Sequence, residues 1–275
     1  MKKILVPIDF SSGSINALTY ALNFAETIIS DIELLYVKKS KDFFVPEFFR
    51  DTDIYYGSKA IDYLKGIAEK YGKDFSNNLS YNVIEGKVYK AICEHAEKNN
   101  FDLIIMGAHG ISGFEKLYIG SNAYRVVSHS KCPVLTIRST YINTKIDKII
   151  LPIDITQETR QKVPFTVKIA KYFNAEIHLI NVSESNTESV NNILSKYSSQ
   201  VEEYIVSRNV KVIKDALIGS NITEITIEYA LNNNANLISI MSEQAESTKN
   251  LWMGKYAQQM INSSPIPVLT FKTLK

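Results

Sequence analysis

The chain of 275 residues contains the same short sequences twice, at a nearly constant separation. Residues 3–9 (KILVPID) recur as residues 148–154 (KIILPID), identical at five of seven positions with an offset of 145. Residues 133–136 (PVLT) recur unchanged at 267–270, with an offset of 134. Self-similarity of this kind indicates that one folding unit has been duplicated, so the chain must fold as two copies of the same structure.

The two copies differ in length. Residues 101–138 align with residues 235–272 without a gap, and ten of the thirty-eight pairs are identical. Because the offset falls from 145 to 134 along the chain, the first copy carries about eleven extra residues,. We assign them to the aromatic stretch 43–49 (FFVPEFF). We therefore predict two tandem domains, residues 1–140 and 141–275.

Short apolar runs alternate with apolar residues at helical spacing in both copies,. Ser11 or Ser12 could cap the first helix, and the polar segment 140–145 is the predicted linker,. Alternating strands and helices predict a parallel sheet with helices on both faces. The predicted fold is α/β, with two tandem five-stranded parallel sheets in three-layer α/β/α domains. Strands are predicted near residues 4–8, 33–37, 79–84, 103–106 and 134–137 and near Ile149, Ile177, Val210, Leu237 and Val268, and helices of the first copy near 15–29, 54–71, 88–98 and 122–127.

Charge and cysteine content exclude several classes of protein. The net charge is only +2, and neither copy is strongly basic, so a nucleic-acid partner has no electrostatic basis,. Pro7 and Asp9 interrupt the apolar amino terminus, and no eighteen apolar residues run together, so we expect neither a secretion signal nor a membrane span,. Cys93 and Cys132 are too few for a disulfide framework and lack metal-ligand spacing,. We expect a reduced cytoplasmic protein without a metal site. We also expect its cysteines to be small core residues rather than redox sensors.

Two strands of the first copy end in residues suited to a ligand. In an open parallel sheet, ligands bind beyond the carboxyl ends of the strands, where the strand order reverses. The first strand ends in Pro7-Ile8-Asp9, and the fourth ends in residues 106–110 (MGAHG). Glycines at 107 and 110 would let the backbone turn sharply and approach a ligand closely.

A helix is predicted to begin at Gly120, Ser121 and Asn122, with nine residues between Gly110 and Gly120. Its free N–H groups form an anion site, to which the Ser121 hydroxyl adds a donor, and this suits a polyphosphate. Asp9 would accept from a ribose hydroxyl, and a residue at the end of the second strand, Val37, could flank a base. Simpler interpretations stay open: the glycines can be turn residues, Gly-Ser or Asp9 can cap a helix, and His109 can be an exposed side chain.

The spacing Gly107-x-x-Gly110, nine residues, then Gly120-Ser121 resembles the glycine motif of the universal stress protein family, in its ATP-binding subgroup. Residues 6–9 (VPID) and 132–135 (CPVL) add to the resemblance, which covers both copies and is similar to the tandem form of the family. The resemblance implies a Rossmann-like, adenine nucleotide alpha hydrolase-like domain, dimeric association through the last strand, ATP binding and a role in the stress response.

The resemblance and the strand ends together give one set of candidate nucleotide contacts, and none of its members is assigned a catalytic role. Mg²⁺ or Mn²⁺ would arrive on the phosphates, because the sequence offers no carboxylate cluster of its own. The candidate contacts are Pro7, Ile8, Asp9, Ser11, Val37, Met106, Gly107, His109, Gly110, Gly120, Ser121, Asn122 and Ala123.

The second copy departs from this motif. Its side chains would crowd the phosphate path, so we predict that copy one binds ATP and copy two is a structural or regulatory partner. The second copy keeps the aspartate, as Asp154, so it could still bind a small ligand. Lys255 could also be a solvated helix residue,. At the gapless offset, Gly107 corresponds to Met241, Gly110 to Gln244, Gly120 to Gly254 and Ser121 to Lys255.

Three functions of different classes remain open at this point. The first is a regulatory protein that signals nucleotide occupancy to a protein partner of unknown identity. The second is a slow ATP hydrolase or phosphoryl-transfer enzyme, for which Asp9 and His109 are the only titratable groups near the phosphate path,. The third is a nucleotide-free interaction scaffold.

Two surface features bear on partners. Residues 43–49 could form a partner-binding or membrane-touching loop, or an aromatic cover over the nucleotide or the dimer seam,. The last strands, near 134–137 and 268–271, would be exposed edges in isolated domains, and pairing them removes that liability. We therefore expect a homodimer or an intramolecular pseudo-dimer through these strands.

Overall fold

A computed structural model describes residues 1–38, 47–108, 119–242 and 253–273, with the backbone alone for residues 47–58. Each half alternates strands and helices in the predicted order. The first half contains β1 (Lys3–Pro7), α1 (Ser12–Ile28), β2 (Asp31–Lys38), α2 (Glu47–Gly72), β3 (Leu79–Glu85), α3 (Val88–Lys98), β4 (Leu103–Gly107), α4 (Ser121–His129) and β5 (Val134–Ile137). The second contains β6 (Lys148–Ile153), a 3₁₀ turn (Gln157–Arg160), α5 (Val163–Phe173), β7 (Glu176–Ser183), α6 (Glu188–Ser207), β8 (Val212–Ile218), α7 (Ile222–Asn232), β9 (Leu237–Met241), α8 (Lys255–Ser263) and β10 (Val268–Phe271).

The ten strands form one sheet in the order β3-β2-β1-β4-β5-β10-β9-β6-β7-β8. Within each half all strand pairs are parallel, and the order reverses between β1 and β4 and between β6 and β9. The two halves join through β5 and β10, which pair antiparallel. The predicted fold class is confirmed, and the pseudo-dimer is the intramolecular one. Because the last strands pair with one another, neither offers a free edge to a second chain.

The seam between the halves is pseudo-symmetric. Leu135 of β5 lies opposite Leu269 of β10, its own counterpart at the offset of 134, so a pseudo-twofold axis passes between them. On either side, Thr136 Oγ1 donates to Val268 O at 3.3 Å and Thr270 Oγ1 donates to Val134 O at 3.0 Å. The threonine hydroxyls thus add side-chain hydrogen bonds to the backbone ladder.

Both faces of the sheet carry an apolar core that continues across the seam. One core packs α1, α2, α5 and α6 against the sheet and includes Phe24 and Phe173, whose ring centroids lie 5.0 Å apart across the two halves. The other packs α3, α4, α7 and α8. Asn16 Nδ2 of α1 donates to Arg138 O and Tyr141 O, both at 2.9 Å, and holds the chain that leaves β5. The described residues 138–147 form neither helix nor strand, as expected of the linker.

Two helices differ from the prediction. α2 begins at Glu47, seven residues before the predicted start, so residues 47–49 are helical rather than part of a loop. Residues 39–46, which include the rest of the aromatic stretch, lie outside the described residues. In the second half the helix after β6 is broken into a 3₁₀ turn and α5, because Pro164 near the start of α5 has no N–H and disfavours helix before it,.

Both cysteines lie among apolar neighbours, as predicted. Cys132 Sγ contacts Phe101 O at 3.2 Å, and Cys93 packs against the core of α3 and α4. Burial raises the pKa of each thiol to about 12, so little thiolate forms near neutral pH,. In the part of the chain that the structure describes, no helix is long and apolar enough to cross a membrane.

The shared core predicts that the two halves unfold together. Leu269→Ala removes a fully buried side chain at the seam and should cost about 2–5 kcal/mol of unfolding free energy,. The loss should appear as one shifted transition in urea, followed by circular dichroism. Leu231→Ala, at a position 48% exposed, is the matched control and should stay within about 0.5 kcal/mol of the unmodified protein,. Separate transitions for the halves would contradict a shared core.

Candidate functional site

Asp9 follows β1 and organises the turn into α1. Its Oδ1 accepts from Ser11 N at 3.0 Å and from Ser11 Oγ at 2.5 Å. Ser11 is the N-cap, because its Oγ accepts from Ser14 N at 3.1 Å,. Ser11, rather than Ser12, is therefore the N-cap of α1. Asp9 contributes indirectly, because its carboxylate holds Ser11 in place.

Phe10, between these two residues, was not foreseen from the sequence. Its φ of 63° is left-handed, an unfavourable conformation for a bulky residue,. Its ring contacts Tyr36 at a centroid distance of 5.1 Å and Tyr63 at 5.8 Å. Aromatic packing therefore holds the strained turn that brings the Asp9 carboxylate back towards Ser11. Position 10 carries no turn signal such as glycine or asparagine, so no local pattern indicates this conformation.

The end of β4 and the start of α4 are joined backbone to backbone. Gly120 N donates to Ala108 O at 2.8 Å, and Ala108 N donates to Ile137 O of the β5 strand end at 2.8 Å. Gly107 is the last residue of β4, directly after the buried Met106. His109 and Gly110 lie outside the described residues. The glycine at 120 is thus fixed against the carboxyl end of β4.

The N-terminus of α4 is open to solvent and carries no acidic residue in its first turn. Gly120 is the N-cap, and the first intrahelical bond runs from Tyr124 N to Gly120 O at 2.9 Å. The N–H groups of residues 121–123 therefore have no partner within the helix. Ser121 and Asn122 are exposed and Ala123 is buried. An exposed helix N-terminus without acidic neighbours attracts anions.

The sheet brings the predicted residues to one edge. β1 pairs with β4, Ile4 opposite Leu103, so Asp9 and Gly107 follow neighbouring strands. Ile8 N donates to Leu35 O at 2.8 Å and extends the β1–β2 pairing towards Val37. Among the described candidates, Pro7, Ile8, Asp9, Ser11 and Val37 follow or end β1 and β2, Met106 and Gly107 end β4, and Gly120, Ser121, Asn122 and Ala123 begin α4.

The second half repeats the aspartate turn but carries larger side chains at the positions of Gly107 and Asn122. Asp154 Oδ1 accepts from Thr156 N at 2.8 Å and Thr156 Oγ1 at 2.5 Å, as Asp9 does from Ser11. Met241 stands at the end of β9 where β4 has Gly107, and it is buried. Tyr256, the counterpart of Asn122, has a buried hydroxyl, and burial raises its pKa. Lys255 is exposed, which agrees with a solvated helix residue.

A buried lysine accompanies Asp154 and was not recognised from the sequence. Lys162 is 2% exposed, and its Nζ donates to Thr159 O at 2.6 Å and Thr159 Oγ1 at 3.0 Å. Burial lowers its pKa to about 8, and the charge of Asp154 opposes that shift,. Its counterpart at the offset of 145 is Ala17, fully buried in the core. The second half therefore has an ammonium group under its aspartate turn where the first half has a methyl group.

A cleft of about 390 Å³ lies elsewhere, between α6 and the strands β7 and β8. It is lined by Asn181, Ser198 and Lys214, among others. Asn181 is the counterpart of Tyr36, whose ring packs on Phe10 in the first half. The second half lacks this aromatic pair, and the cleft lies beside Asn181. Among the described residues, no three histidine, cysteine, aspartate or glutamate side chains cluster in a way that could hold a metal ion.

Comparisons with known proteins agree on one family. A family model described as "Universal stress protein family" matches residues 1–138 and again residues 145–272. A universal stress protein of Methanocaldococcus jannaschii is 31% identical over 147 residues, covering 50% of this chain and 82% of the relative. One of Bacillus subtilis is 28% identical, covering 50% and 98%. The solved structure of a universal stress protein of Archaeoglobus fulgidus matches with a TM-score of 0.78 at 23% identity over 98% of both chains, a likeness of fold.

The buried lysine predicts a specific pH dependence. Because the pKa of Lys162 falls from its ordinary 10.5 to about 8 on folding, the unfolded chain binds more protons between these values. The free energy of unfolding therefore rises with pH over this range. Between pH 7 and 10 it should increase by about 2–3 kcal/mol more in the unmodified protein than in Lys162→Met. Urea unfolding at both pH values measures this difference. The exposed Lys171→Met variant keeps Lys162 and should gain stability with pH as the unmodified protein does. An equal response of both variants would contradict the burial of Lys162.

Proposed function

Because the chain belongs to the universal stress protein family, we propose that it is a regulatory protein of the stress response whose first domain binds ATP. One observation carries this proposal: the solvent-open N-terminus of α4, held by the Gly120–Ala108 hydrogen bond beside the carboxyl end of β4. Three backbone N–H groups without helical partners stand there at the positive end of a helix dipole. They are suited to the phosphates, with the Ser121 hydroxyl as a further donor.

The neighbouring strands suit the nucleoside. The Asp9 carboxylate is fixed by Ser11 and partly exposed, so it can still accept from a ribose hydroxyl,. Val37, the penultimate residue of β2, is a buried apolar residue at the same edge and would flank the base. The ligand would thus lie across the point where strand order reverses, as expected for an open parallel sheet,. Mg²⁺ or Mn²⁺ would be carried by the phosphates.

The second domain repeats the hydrogen bond at the start of its last helix, Gly254 N to Ser242 O at 2.8 Å, but its side chains there are larger, which supports a single site per chain. Met241 stands in place of Gly107, and the buried Tyr256 hydroxyl lies near Asp154. At the first position of α8, Lys255 puts a positive side chain where α4 has the serine donor. We assign the second domain a structural and regulatory role, in which it responds to occupancy of the first.

Calorimetric titration of the nucleotide-stripped protein with Mg-ATP tests the proposal. One ATP per chain is expected, because in the second half Met241, Lys255 and Tyr256 occupy the positions of Gly107, Ser121 and Asn122. Two sites would contradict the role given to Met241 and Tyr256, and no binding would overturn the proposal in favour of a scaffold. ADP formed in the same sample well above the buffer background would favour the hydrolase.

Two equivalent aspartates provide a matched pair of variants. Asp9→Ala and Asp154→Ala remove the same hydrogen bonds to the residue two positions on. Asp154→Ala also removes the charge that favours the protonated form of Lys162, so the unfolding free energy of each variant is measured beside its affinity. Asp9→Ala should weaken Mg-ATP binding about tenfold or more, because a ligand hydrogen bond to a charged group is lost. Asp154→Ala should leave the affinity unchanged. Equal losses in both variants would indicate a general effect on stability rather than a nucleotide contact.

A further inference from the structure

One hydrogen bond joins the second domain to the nucleotide edge of the first. Ile119 N donates to Asn262 Oδ1 at 2.6 Å, across 143 residues of sequence. Ile119 is buried and directly precedes Gly120, the N-cap of α4. The two consecutive amides therefore have different acceptors: Gly120 N bonds within its own domain to Ala108 O, and Ile119 N bonds to the other domain.

The antiparallel seam explains why Asn262 reaches this position. Since β5 and β10 run in opposite directions, the carboxyl ends of the first domain's strands share an edge with the amino ends of the second domain's strands,. α8 leaves the carboxyl end of β9 and returns to the amino end of β10, so its last turn lies at the nucleotide edge of the first domain. Asn262 belongs to that last turn.

Asn262 is itself anchored to the seam. Its backbone carbonyl accepts from Arg138 Nη2, and Arg138 directly follows β5. The carbonyl of Arg138 in turn accepts from Asn16 Nδ2 of α1 at 2.9 Å. A continuous set of hydrogen bonds thus runs from α1, which follows the Asp9 turn, through Arg138 and Asn262 to the residue that precedes α4. The helix that follows the Asp9 turn and the start of α4 are therefore connected through Asn262 of the second domain.

The connection is asymmetric. By the offset of 134, Ser128 of α4 is the counterpart of Asn262. Its hydroxyl donates to Tyr124 O at 2.8 Å, within its own helix. A serine hydroxyl is also shorter than the amide of asparagine. The first domain therefore does not return this bond through its own α4, and the link runs to the start of α4, at the proposed site.

We propose that Asn262 is a positioning residue for the nucleotide site, through which the second domain controls the affinity of the first for ATP. This inference rests on the proposed function. By fixing Ile119 N, Asn262 orients the amides of Ser121 and Asn122 before the phosphates arrive, so less ordering is needed on binding. Linkage requires the reverse effect as well: bound ATP strengthens the Ile119–Asn262 bond and so the contact between the domains.

Hydrogen exchange of the Ile119 amide, read by NMR, together with Mg-ATP titration tests this role. In nucleotide-free Asn262→Ala the amide should exchange about tenfold faster, the effect of one lost hydrogen bond, and the dissociation constant for Mg-ATP should rise about three- to tenfold. Asn262→Asp keeps the acceptor oxygen and should restore protection of Ile119. Ser128→Ala, at the equivalent position, should change neither quantity. Saturating Mg-ATP should slow exchange of Ile119 more in the unmodified protein than in Asn262→Ala.

The outcomes separate the two proposals. Faster exchange with unchanged ATP affinity would overturn the positioning role and leave the proposed function standing. Unchanged exchange in Asn262→Ala would also overturn it, because the bond would then not hold the amide. No binding of ATP by the unmodified protein would remove the proposed function and the positioning role with it. Accelerated exchange throughout α8 in Asn262→Ala would instead indicate local unfolding, and would contradict a specific effect on Ile119.

Discussion

The antiparallel pairing of β5 with β10 is the contact on which the rest of the molecule depends. Without it, β5 and β10 would each be an open sheet edge, although all four residues of each strand are buried in this structure,. Leu135 and Leu269 meet at the pseudo-twofold axis, and the apolar cores on both faces continue past them. Two domains that could each have formed half of a dimer are instead one cooperative body.

The same pairing decides where functional residues can meet. An antiparallel seam places the carboxyl edges of the two halves on opposite sides, so the two aspartate turns cannot face each other,. Each turn instead lies at the edge where the other domain's strands begin. The last turn of α8 therefore stands beside the start of α4, and Asn262 can hold Ile119. Communication between the domains follows from the topology and needs no dedicated segment.

The two halves share the same strands and aspartate turns but differ in the residues near the edge where a ligand is proposed to bind. The aspartate turn is equivalent in both halves, down to the hydrogen bonds of Asp9 and Asp154. Directly beneath, the first half has Ala17 and the second has Lys162, whose ammonium group must be desolvated to fit,. A group of that kind costs folding free energy at neutral pH. The second half therefore has internal polar contacts at a position that is apolar in the first half.

The sequence by itself determined the elements and the edge at which a ligand could bind. Repeats, apolar periodicity and caps act over a few residues, so the strands, a cap at Ser11 or Ser12, helix α3 and the switch point followed from them. Tertiary structure alone decided the rest: the intramolecular seam, the left-handed Phe10, the buried Lys162 and the Ile119–Asn262 bond. Each of these depends on side chains far apart in sequence that meet only when the sheet is assembled. No local pattern records such a contact, because its free energy comes from packing and desolvation in the assembled core.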